Sequence, residues 1–255
     1  MRRNLLKSVW QQGGTVVNGW LSIPSGFSAE VMAHQGYDSL TVDIQHGMHD
    51  FQSAFQCFQA ISTTDVVPLV RVPWLEPSIV MKCLDAGAYG VVCPLINNRK
   101  DAETFVSYCR YPPQGERSYG PNRVMLYAGA DYADHADTEV LTIGMIETLE
   151  ALENLDDIMS TPGLDAVYVG PADLALGYGL KPNFEPSDAR LLDAFERVVA
   201  AAQHHGKIPG IHTGSAQYAL KMAQMGYRFI TISNDARLLA GAASAGVKSF
   251  REGRN

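Results

Sequence analysis

The stretch Ser39-Leu-Thr-Val-Asp-Ile-Gln-His-Gly47 decides the fold, because it has the composition of a buried strand that ends in polar side chains. Its apolar residues are aliphatic or β-branched, which is typical of a strand. Asp43 and His46 then stand where a core strand should end with one more apolar residue. Parallel α/β proteins place their active sites at the carboxyl ends of their strands. The stretch therefore predicts a parallel α/β fold with catalytic side chains at that end.

Two other predicted strands end in the same way. One closes with Met145-Ile146-Glu147, and the other runs into Gly170-Pro171-Ala172-Asp173. If the three strands converge, they bring a histidine and several carboxylates into one cavity. This combination indicates an enzyme that is assisted by a metal ion.

The chain alternates short β-rich segments with helical patterns from end to end. Eight segments are predicted to be strands: Thr15–Ile23, Ser39–Gln45, Val67–Val72, Gly90–Ile96, Leu141–Glu147, Ala166–Gly170, Pro209–Thr213 and Phe229–Ser233. Eight such units in 255 residues predict an α/β fold, a single (β/α)8 TIM barrel over residues 1–255, with a last helix near Asp235–Ala245. A doubly wound open sheet is the alternative, but it usually has fewer strands and a Gly-x-Gly-x-x-Gly turn after the first. The segment Tyr111–Thr138 is too long for an ordinary connection and is interpreted as a functional excursion.

The composition argues against several classes of protein. A net charge of −7 disfavours non-specific binding of nucleic acid, and no apolar run reaches the ~20 residues of a membrane span. The first residues make a poor secretory signal and fit a short helix better. The four cysteines show no Cys-x-x-Cys spacing, so we interpret them as reduced residues of a cytoplasmic protein.

Glu147 and Asp173 have the character of metal ligands. They lie one βα unit apart, at the ends of adjacent strands, and should be neighbours at the same edge of the barrel. Two carboxylates plus water suit a hard divalent ion such as Mg²⁺ or Mn²⁺. Each residue alone could instead cap or begin a helix, but the pair favours the metal. The loop 170–174 adds a weak motif for an anion, since its glycine allows close approach and the following helix start offers amides.

Three further side chains are candidates for the chemistry. His46 is the predicted proton-transfer group, because an imidazole titrates near the working pH; the alternative is a structural histidine that binds a backbone carbonyl. Arg71, inside the apolar segment Val67–Val72, could stabilise an enolate or form a structural ion pair with Asp43 or another carboxylate. Asp85, on the helix before the fourth strand, could orient the imidazole, although alone it would be an ordinary helix residue.

Several short motifs along nearly the whole chain are specific when taken together, though none is specific alone. They are Gly19-Trp20, Ser28-Ala29-Glu30, Asp43-x-x-His46-Gly47, Arg71-Val72-Pro73, Leu84-Asp85-x-Gly87-Ala88, Arg110-Tyr111-Pro112-Pro113-x-Gly115-x-Arg117, Ile146-Glu147 and Gly170-Pro171-Ala172-Asp173-Leu174. With these motifs the sequence resembles the pyruvate-dependent class II aldolases of the 2,4-dihydroxyhept-2-ene-1,7-dioate aldolase family.

The resemblance implies a TIM barrel that assembles as a homo-hexamer, a trimer of dimers whose subunits exchange their C-terminal helix. It implies a divalent ion, Mg²⁺, Mn²⁺ or Co²⁺, on Glu147 and Asp173. It also implies that His46 and Asp85 act as a dyad, and that Arg71 steadies the keto oxygen and the developing negative charge.

The same resemblance implies how the substrates bind. The amides near Ala172 and Asp173, in the loop Gly170-Pro171-Ala172-Asp173, would hold the pyruvate carboxylate. Trp20 would line the pocket for the acceptor aldehyde.

Three positions depart from the pattern of the family. Relatives commonly have Asp-Gly-Glu-His-Gly where this chain has Asp43-Ile-Gln45-His46-Gly47, so a negative charge near the metal is lost. Asp43 and Gln45 are expected just outside the direct ligands. Met145 replaces a glutamine, and His212 replaces an aliphatic residue. We predict that His212 lies near the pocket and tunes the choice of substrate.

The sequence thus predicts a carbon–carbon lyase, an aldehyde-lyase, that depends on a divalent metal. It would reversibly cleave 4-hydroxy-2-keto acids to an aldehyde and pyruvate, or a related 2-keto acid such as hydroxypyruvate. A Schiff-base route is disfavoured, because Lys82 and Lys221 fall on helices. One alternative is a CoA-thioester lyase of the citryl-CoA or malyl-CoA type, which the lack of a basic cluster disfavours. The other is a non-catalytic 2-keto-acid binding protein, which the set of retained candidate residues disfavours.

Overall fold

Eight parallel strands close into a barrel in the computed structural model, which describes residues 1–253. Each strand is hydrogen-bonded to its neighbours in chain order, and β1 pairs with β8. The strands are β1 Val16–Leu21, β2 Ser39–Asp43, β3 Val67–Arg71, β4 Gly90–Cys93, β5 Leu141–Ile146, β6 Ala166–Val169, β7 Ile208–Thr213 and β8 Phe229–Asn234. The prediction of a TIM barrel is confirmed.

The helices follow the predicted alternation. They are α1 Leu5–Gln11, α2 Gly26–Ala33, α3 Phe51–Ile61, α4 Pro77–Ala86, α5 Arg99–Cys109, α6 Arg123–Ala128, α7 Tyr132–Glu139, α8 Leu149–Glu153, α9 Leu155–Met159, α10 Pro171–Gly177, α11 Ala189–His204, α12 Ala216–Met225 and α13 Asp235–Glu252. The excursion after α5 contains two short helices, α6 and α7. No helix within residues 1–253 combines the length and the apolar character needed to cross a membrane.

Two glycines end helices and turn the chain back into the barrel. Gly87 follows α4 with a φ of 117°, and Gly226 follows α12 with a φ of 123°. Residues with a Cβ rarely adopt this region, so a glycine is favoured at both positions. Both helices therefore end at these glycines.

The strands end where the candidate residues begin. β2 ends at Asp43, β5 ends one residue before Glu147, and β6 ends at Val169, just before the loop 170–173. The register of β2 on β3 places Asp43 directly opposite Arg71. Since all eight strands are parallel, these residues meet at one end of the barrel.

The last helix, α13, extends to Glu252 and not to the predicted Ala245. It continues through Gly246, which is a weak helix former, because no proline interrupts it. Asp235 is its only buried residue within the described chain. Leu238, Leu239 and Val247 are exposed on it. The predicted exchange of this helix between subunits stays a prediction.

The four cysteines, Cys57, Cys83, Cys93 and Cys109, are buried free thiols. Burial raises the pKa of Cys83 and of Cys109 to about 12, so both thiols stay protonated and act as small core residues. This agrees with their interpretation as reduced residues.

Candidate active site

A cavity of about 290 Å³ opens at the carboxyl ends of the strands. Nine of the predicted site residues line it: Trp20, Asp43, His46, Arg71, Gly170, Pro171, Ala172, Asp173 and His212. These residues come from β1, β2, β3, β7 and the segments that follow β2 and β6, so closure of the barrel brings them together.

Arg71 and Asp43 form an ion pair with two contacts at the cavity wall. Arg71 Nε lies 2.8 Å from Asp43 Oδ1, and Arg71 Nη2 lies 2.6 Å from Asp43 Oδ2. Burial by itself would raise the pKa of Asp43, but the hydrogen bonds and the charge of Arg71 outweigh it and lower that pKa below its ordinary value. The guanidinium also lies 4.9 Å from the centre of the Trp20 ring. The ion pair holds Arg71 rigidly while leaving it in the cavity wall, so the structural and the catalytic interpretations are compatible.

His46 owes its position to Asp43. The amides of Gln45 and His46 both donate to Asp43 Oδ1, at 3.1 and 3.2 Å, and so bend the chain directly after β2. This turn places the imidazole of His46 at the mouth of the cavity, where it is exposed. An exposed imidazole facing a cavity is free to exchange protons with a bound molecule.

Glu147 is almost fully buried, with 4% of its surface exposed. Its Oε1 accepts a hydrogen bond of 2.9 Å from the amide of Leu95, which has the unusual φ of 56° for a residue with a side chain. Its Oε2 points toward Gly170, where an added Cβ would stand only 2.8 Å away. Burial, reinforced by the charge of Asp173, raises the pKa of Glu147 to about 7.

The two carboxylates Glu147 and Asp173 fit a hard divalent cation. A cation between them would offset both the burial of Glu147 and its repulsion from Asp173. Within residues 1–253 there is no group of three or more His, Cys, Asp or Glu side chains that could hold a metal. Two carboxylates with several waters are nevertheless the usual protein contribution to a Mg²⁺ site.

The loop after β6 offers two unused donors. Pro171 has no amide hydrogen, and the first helical hydrogen bond of α10 runs from the amide of Leu174 to the carbonyl of Gly170. Within the part of the chain that the structure describes, the amides of Ala172 and Asp173 donate to no acceptor. Both residues line the cavity, so the amides are available to an anion there.

An aromatic wall closes the opposite side of the cavity. The Trp20 ring is stacked on Tyr168 with 5.7 Å between ring centres, and it meets His212 edge-on at 5.1 Å. His212 Nδ1 lies 3.1 Å from the hydroxyl of Tyr168. Burial, followed by the charge of Arg71, lowers the pKa of His212 to about 3, so the ring is neutral at physiological pH. The structure places His212 in the cavity wall, and its effect on substrate choice stays a prediction.

Asp85 does not meet His46 in the described chain. It lies at the end of α4, just before β4, and therefore at the opposite end of the barrel from the cavity. Its Oδ1 accepts a hydrogen bond of 2.7 Å from Arg117, whose side chain is fully buried. Within the described chain Asp85 neutralises a buried arginine, and its pairing with His46 stays a prediction.

Gln45 and Met145, which depart from the family pattern, differ in their position relative to the cavity. Met145 lines the cavity with an apolar thioether. Gln45 does not line it, and its Oε1 is buried without a hydrogen-bond partner among the described residues. The lost negative charge at position 45 is therefore replaced by an amide that sits behind the cavity wall.

Sequence reasoning missed four residues that line the cavity: Ser22, Tyr168, Phe184 and Asn234. Tyr168 lies inside a predicted strand, and the alternation of side chains along that strand gives a weak signal for it. Phe184 lies in an irregular connection between α10 and α11, whose path no local pattern fixes. Asn234 reaches the cavity through an extra residue in β8, near Ser233, which shifts the register on β1.

A family model described as "HpcH/HpaI aldolase/citrate lyase" matches residues 19–242, which include every residue of the site described above. The chain belongs to the HpcH/HpaI aldolase/citrate lyase family. The resemblance stated from the motifs is thereby confirmed.

Relatives within the HpcH/HpaI family cover almost the whole chain. A hydroxypyruvate/pyruvate aldolase of Rhizorhabdus wittichii is 38% identical over 240 residues, which are 94% of this chain and 96% of the relative. A 4-hydroxy-2-oxo-heptane-1,7-dioate aldolase of Escherichia coli is 32% identical over 250 residues, 95% of this chain and 93% of the relative.

A solved structure from the same family superposes closely on this chain. The crystal structure of an HpcH/HpaI aldolase/citrate lyase family protein from Burkholderia cenocepacia J2315 superposes with a TM-score of 0.90 at 32% identity. The superposition covers 97% of this chain and 99% of the other. The barrel and its connections are therefore those of the family.

Proposed function

We propose that this chain is a divalent-metal-dependent aldolase that reversibly cleaves 4-hydroxy-2-keto acids to an aldehyde and pyruvate or hydroxypyruvate. The observation that carries the proposal is the convergence of Asp173, the imidazole of His46 and the fixed guanidinium of Arg71 on one cavity. The carboxylate of Glu147 lies directly behind Gly170, a residue of the cavity wall. The names of the relatives support the same reaction class, since one is a hydroxypyruvate/pyruvate aldolase and another a 4-hydroxy-2-oxo-heptane-1,7-dioate aldolase.

Glu147 and Asp173 would hold the divalent ion, Mg²⁺, Mn²⁺ or Co²⁺, which when bound supplies Lewis acidity toward the keto oxygen of the substrate. The hydrogen bond from Leu95 fixes one oxygen of Glu147 and leaves the other for the ion. Gly170 leaves the space in which that second oxygen lies.

Arg71 would stabilise the negative charge that develops on the keto oxygen during cleavage. Its side chain needs no rearrangement at that moment, because Asp43 already holds it through two short hydrogen bonds. The pair as a whole is neutral, so the guanidinium acts mainly through its directed N–H groups.

His46 would be the proton-transfer group for the 4-hydroxyl of the substrate. In the cleavage direction its imidazole takes the proton of the 4-hydroxyl group while the bond between C3 and C4 breaks. The electrons of that bond pass to C3 and the keto group as an enolate, and the aldehyde leaves. A proton returned to C3 completes the 2-keto acid, so atoms and charge balance.

The free amides of Ala172 and Asp173 would receive the carboxylate of the 2-keto acid. They lie next to Asp173, so a bound carboxylate brings the keto group close to the metal ligands. Trp20 and His212 then face the aldehyde part of the substrate from the aromatic wall.

Exchange of the methyl protons of pyruvate in D2O, followed by NMR, tests the proposal without knowledge of the aldehyde. We expect exchange with added Mn²⁺ or Mg²⁺, none after treatment with EDTA, and recovery when the ion is returned. Glu147→Gln should abolish exchange and weaken Mn²⁺ binding measured by EPR. Covalent trapping of pyruvate by borohydride would contradict the proposal, since it would reveal a Schiff base.

Two rival functions make different predictions. A CoA-thioester lyase needs cations for the nucleotide phosphates, but Arg71 is the only lysine or arginine among the described residues that line the cavity. Cleavage of citryl-CoA or malyl-CoA faster than of any 4-hydroxy-2-keto acid would favour this rival. A receptor for 2-keto acids would bind pyruvate without exchanging its protons.

We further propose that α13 is exchanged between subunits of a hexamer. The exposed apolar residues Leu238, Leu239 and Val247 support a partner for this helix, since a long helix with an uncovered apolar stripe is poorly stable alone. Light scattering of the full chain should give six subunits. A Leu239→Glu variant should give smaller species, and a monomeric wild type would contradict the assembly.

A further inference from the structure

A cation that the reaction described above does not use lies against Phe184, a residue of the cavity wall. Arg237, near the start of α13, places its guanidinium carbon 4.3 Å from the centre of the Phe184 ring. We propose that Arg237 and Phe184 form a subsite for an anionic group, a carboxylate or a phosphate, at the far end of the acceptor aldehyde. This inference rests on the proposed aldolase function and names the substrate class of that site.

Arg237 has no acidic partner in the part of the chain that the structure describes, where none lies within 4.0 Å of its side-chain nitrogens. The neighbouring Asp235 is already committed, since its carboxylate accepts from the amides of Ser22, Ile23 and Ala236. Within the single chain the guanidinium is exposed, and its contact is with the face of the Phe184 ring. A cation held in this way keeps its hydrogen-bond donors free for a ligand.

The subsite is continuous with the cavity. Phe184 lines the cavity, and its ring centre lies 5.1 Å from that of His212. His212 in turn lies 5.1 Å from Trp20, next to Arg71. A continuous series of side-chain contacts thus connects the guanidinium of Arg71 to that of Arg237.

The charges along this series of contacts indicate where each end of the substrate would bind. The charge of Arg71 is balanced by Asp43, and His212 is neutral, in part because the charge of Arg237 also disfavours its protonation. Arg237 is therefore the unbalanced positive charge on the acceptor side. A 2-keto acid whose own carboxylate meets the amides of Ala172 and Asp173 would present a second anionic group toward Arg237.

Matched aldehydes test the inference. Condensation of pyruvate with succinic semialdehyde is compared with that of pentanal, and glyceraldehyde 3-phosphate is compared with glyceraldehyde. In Arg237→Gln we expect kcat/KM to fall about tenfold, through KM, for at least one anionic aldehyde and to change less than about twofold for its neutral counterpart. The pair that responds identifies the anionic group.

Arg237→Lys should retain part of the effect, since it keeps the charge and loses the planar fork. Arg251→Gln, on the same helix about four turns further on, is the control and should leave all four rates unchanged. Added salt should raise the KM of the preferred anionic aldehyde in the wild type more than in Arg237→Gln.

The outcomes separate this inference from the proposed function. Equal effects of Arg237→Gln on charged and neutral aldehydes, no effect on either, or a wild-type preference for the neutral members would overturn the subsite while the aldolase stands. Turnover of none of the aldehydes together with absent exchange of pyruvate protons would overturn both.

Discussion

Arg71 and Asp43 sit directly opposite each other on neighbouring strands and share two hydrogen bonds, of 2.8 and 2.6 Å. The carboxylate that fixes the guanidinium also caps the turn that carries His46. One acidic residue therefore sets the position of two candidate catalytic groups, and the register of β2 on β3 is part of the active site.

Replacing Arg71 tests whether its planar guanidinium group, with two N–H donors directed at Asp43, is required. Arg71→Lys keeps the positive charge but cannot make both contacts with Asp43, so we expect kcat for aldol cleavage to fall about 100-fold, as for other lost donors to a developing oxyanion. Arg99→Lys, at an exposed pair with Glu103, is the matched control. Equal kinetics of Arg71→Lys and wild type would show that the guanidinium group is unnecessary.

His212 should make stability depend on pH. Its pKa in the folded protein is about 3 against an ordinary value of 6.5, so between these pH values the unfolded chain binds a proton that the native ring does not. The stabilisation is complete above about pH 6.5 and is lost as the pH falls, with a slope of up to about 1.4 kcal/mol per pH unit.

Urea unfolding of wild type and His212→Gln between pH 4 and 7 measures this contribution. The wild type should lose more of its free energy of unfolding on acidification than the variant does. His34→Gln, at an exposed position outside the cavity, should behave like the wild type. Parallel curves for wild type and His212→Gln would contradict the assignment.

Asp85 should matter for stability and not for the proton transfer. Asp85→Asn leaves the buried guanidinium of Arg117 without its counter-charge, which should lower the free energy of unfolding by roughly 2–4 kcal/mol. Replacing both residues, as Asp85→Asn with Arg117→Met, should recover part of this loss. An altered pH–rate profile at unchanged stability would instead restore the predicted dyad.

The amide of Leu95 should govern the affinity for the metal. Leu95→Pro removes the N–H group that binds Glu147 and cannot adopt a φ of 56°. We expect Mn²⁺ binding, measured by EPR, to weaken at least about tenfold. Leu95→Gly keeps the amide and suits the positive φ, so its affinity should stay within about twofold; a loss as large as that of proline would contradict the role of the amide.

The barrel and most of the cavity could be predicted from the sequence, because the period of the βα unit places every strand end at the same rim. That rule predicts Glu147 and Asp173 as neighbours, whereas Arg71 is predicted from its charge inside an apolar segment. The same rule argues against Asp85, since a residue that immediately precedes a strand lies at the other rim.

The residues that escaped prediction depend on the path of irregular backbone. Phe184 reaches the cavity from a connection without regular structure, and the hydrogen bond of Leu95 requires a left-handed residue that nothing in its sequence announces. The amide of Leu95 and the carboxylate of Glu147 meet only after β4 and β5 have paired. Such contacts are products of tertiary structure, and local patterns do not encode them.

The stacking of Trp20 in the cavity has a practical consequence. Its indole lies against Tyr168, His212 and the guanidinium of Arg71, so any molecule that enters must change the surroundings of this one ring. Trp74, by contrast, is largely in solvent and outside the cavity. The protein thus carries its own fluorescent reporter, and titration of its emission would follow ligand occupancy without a label or a coupled assay.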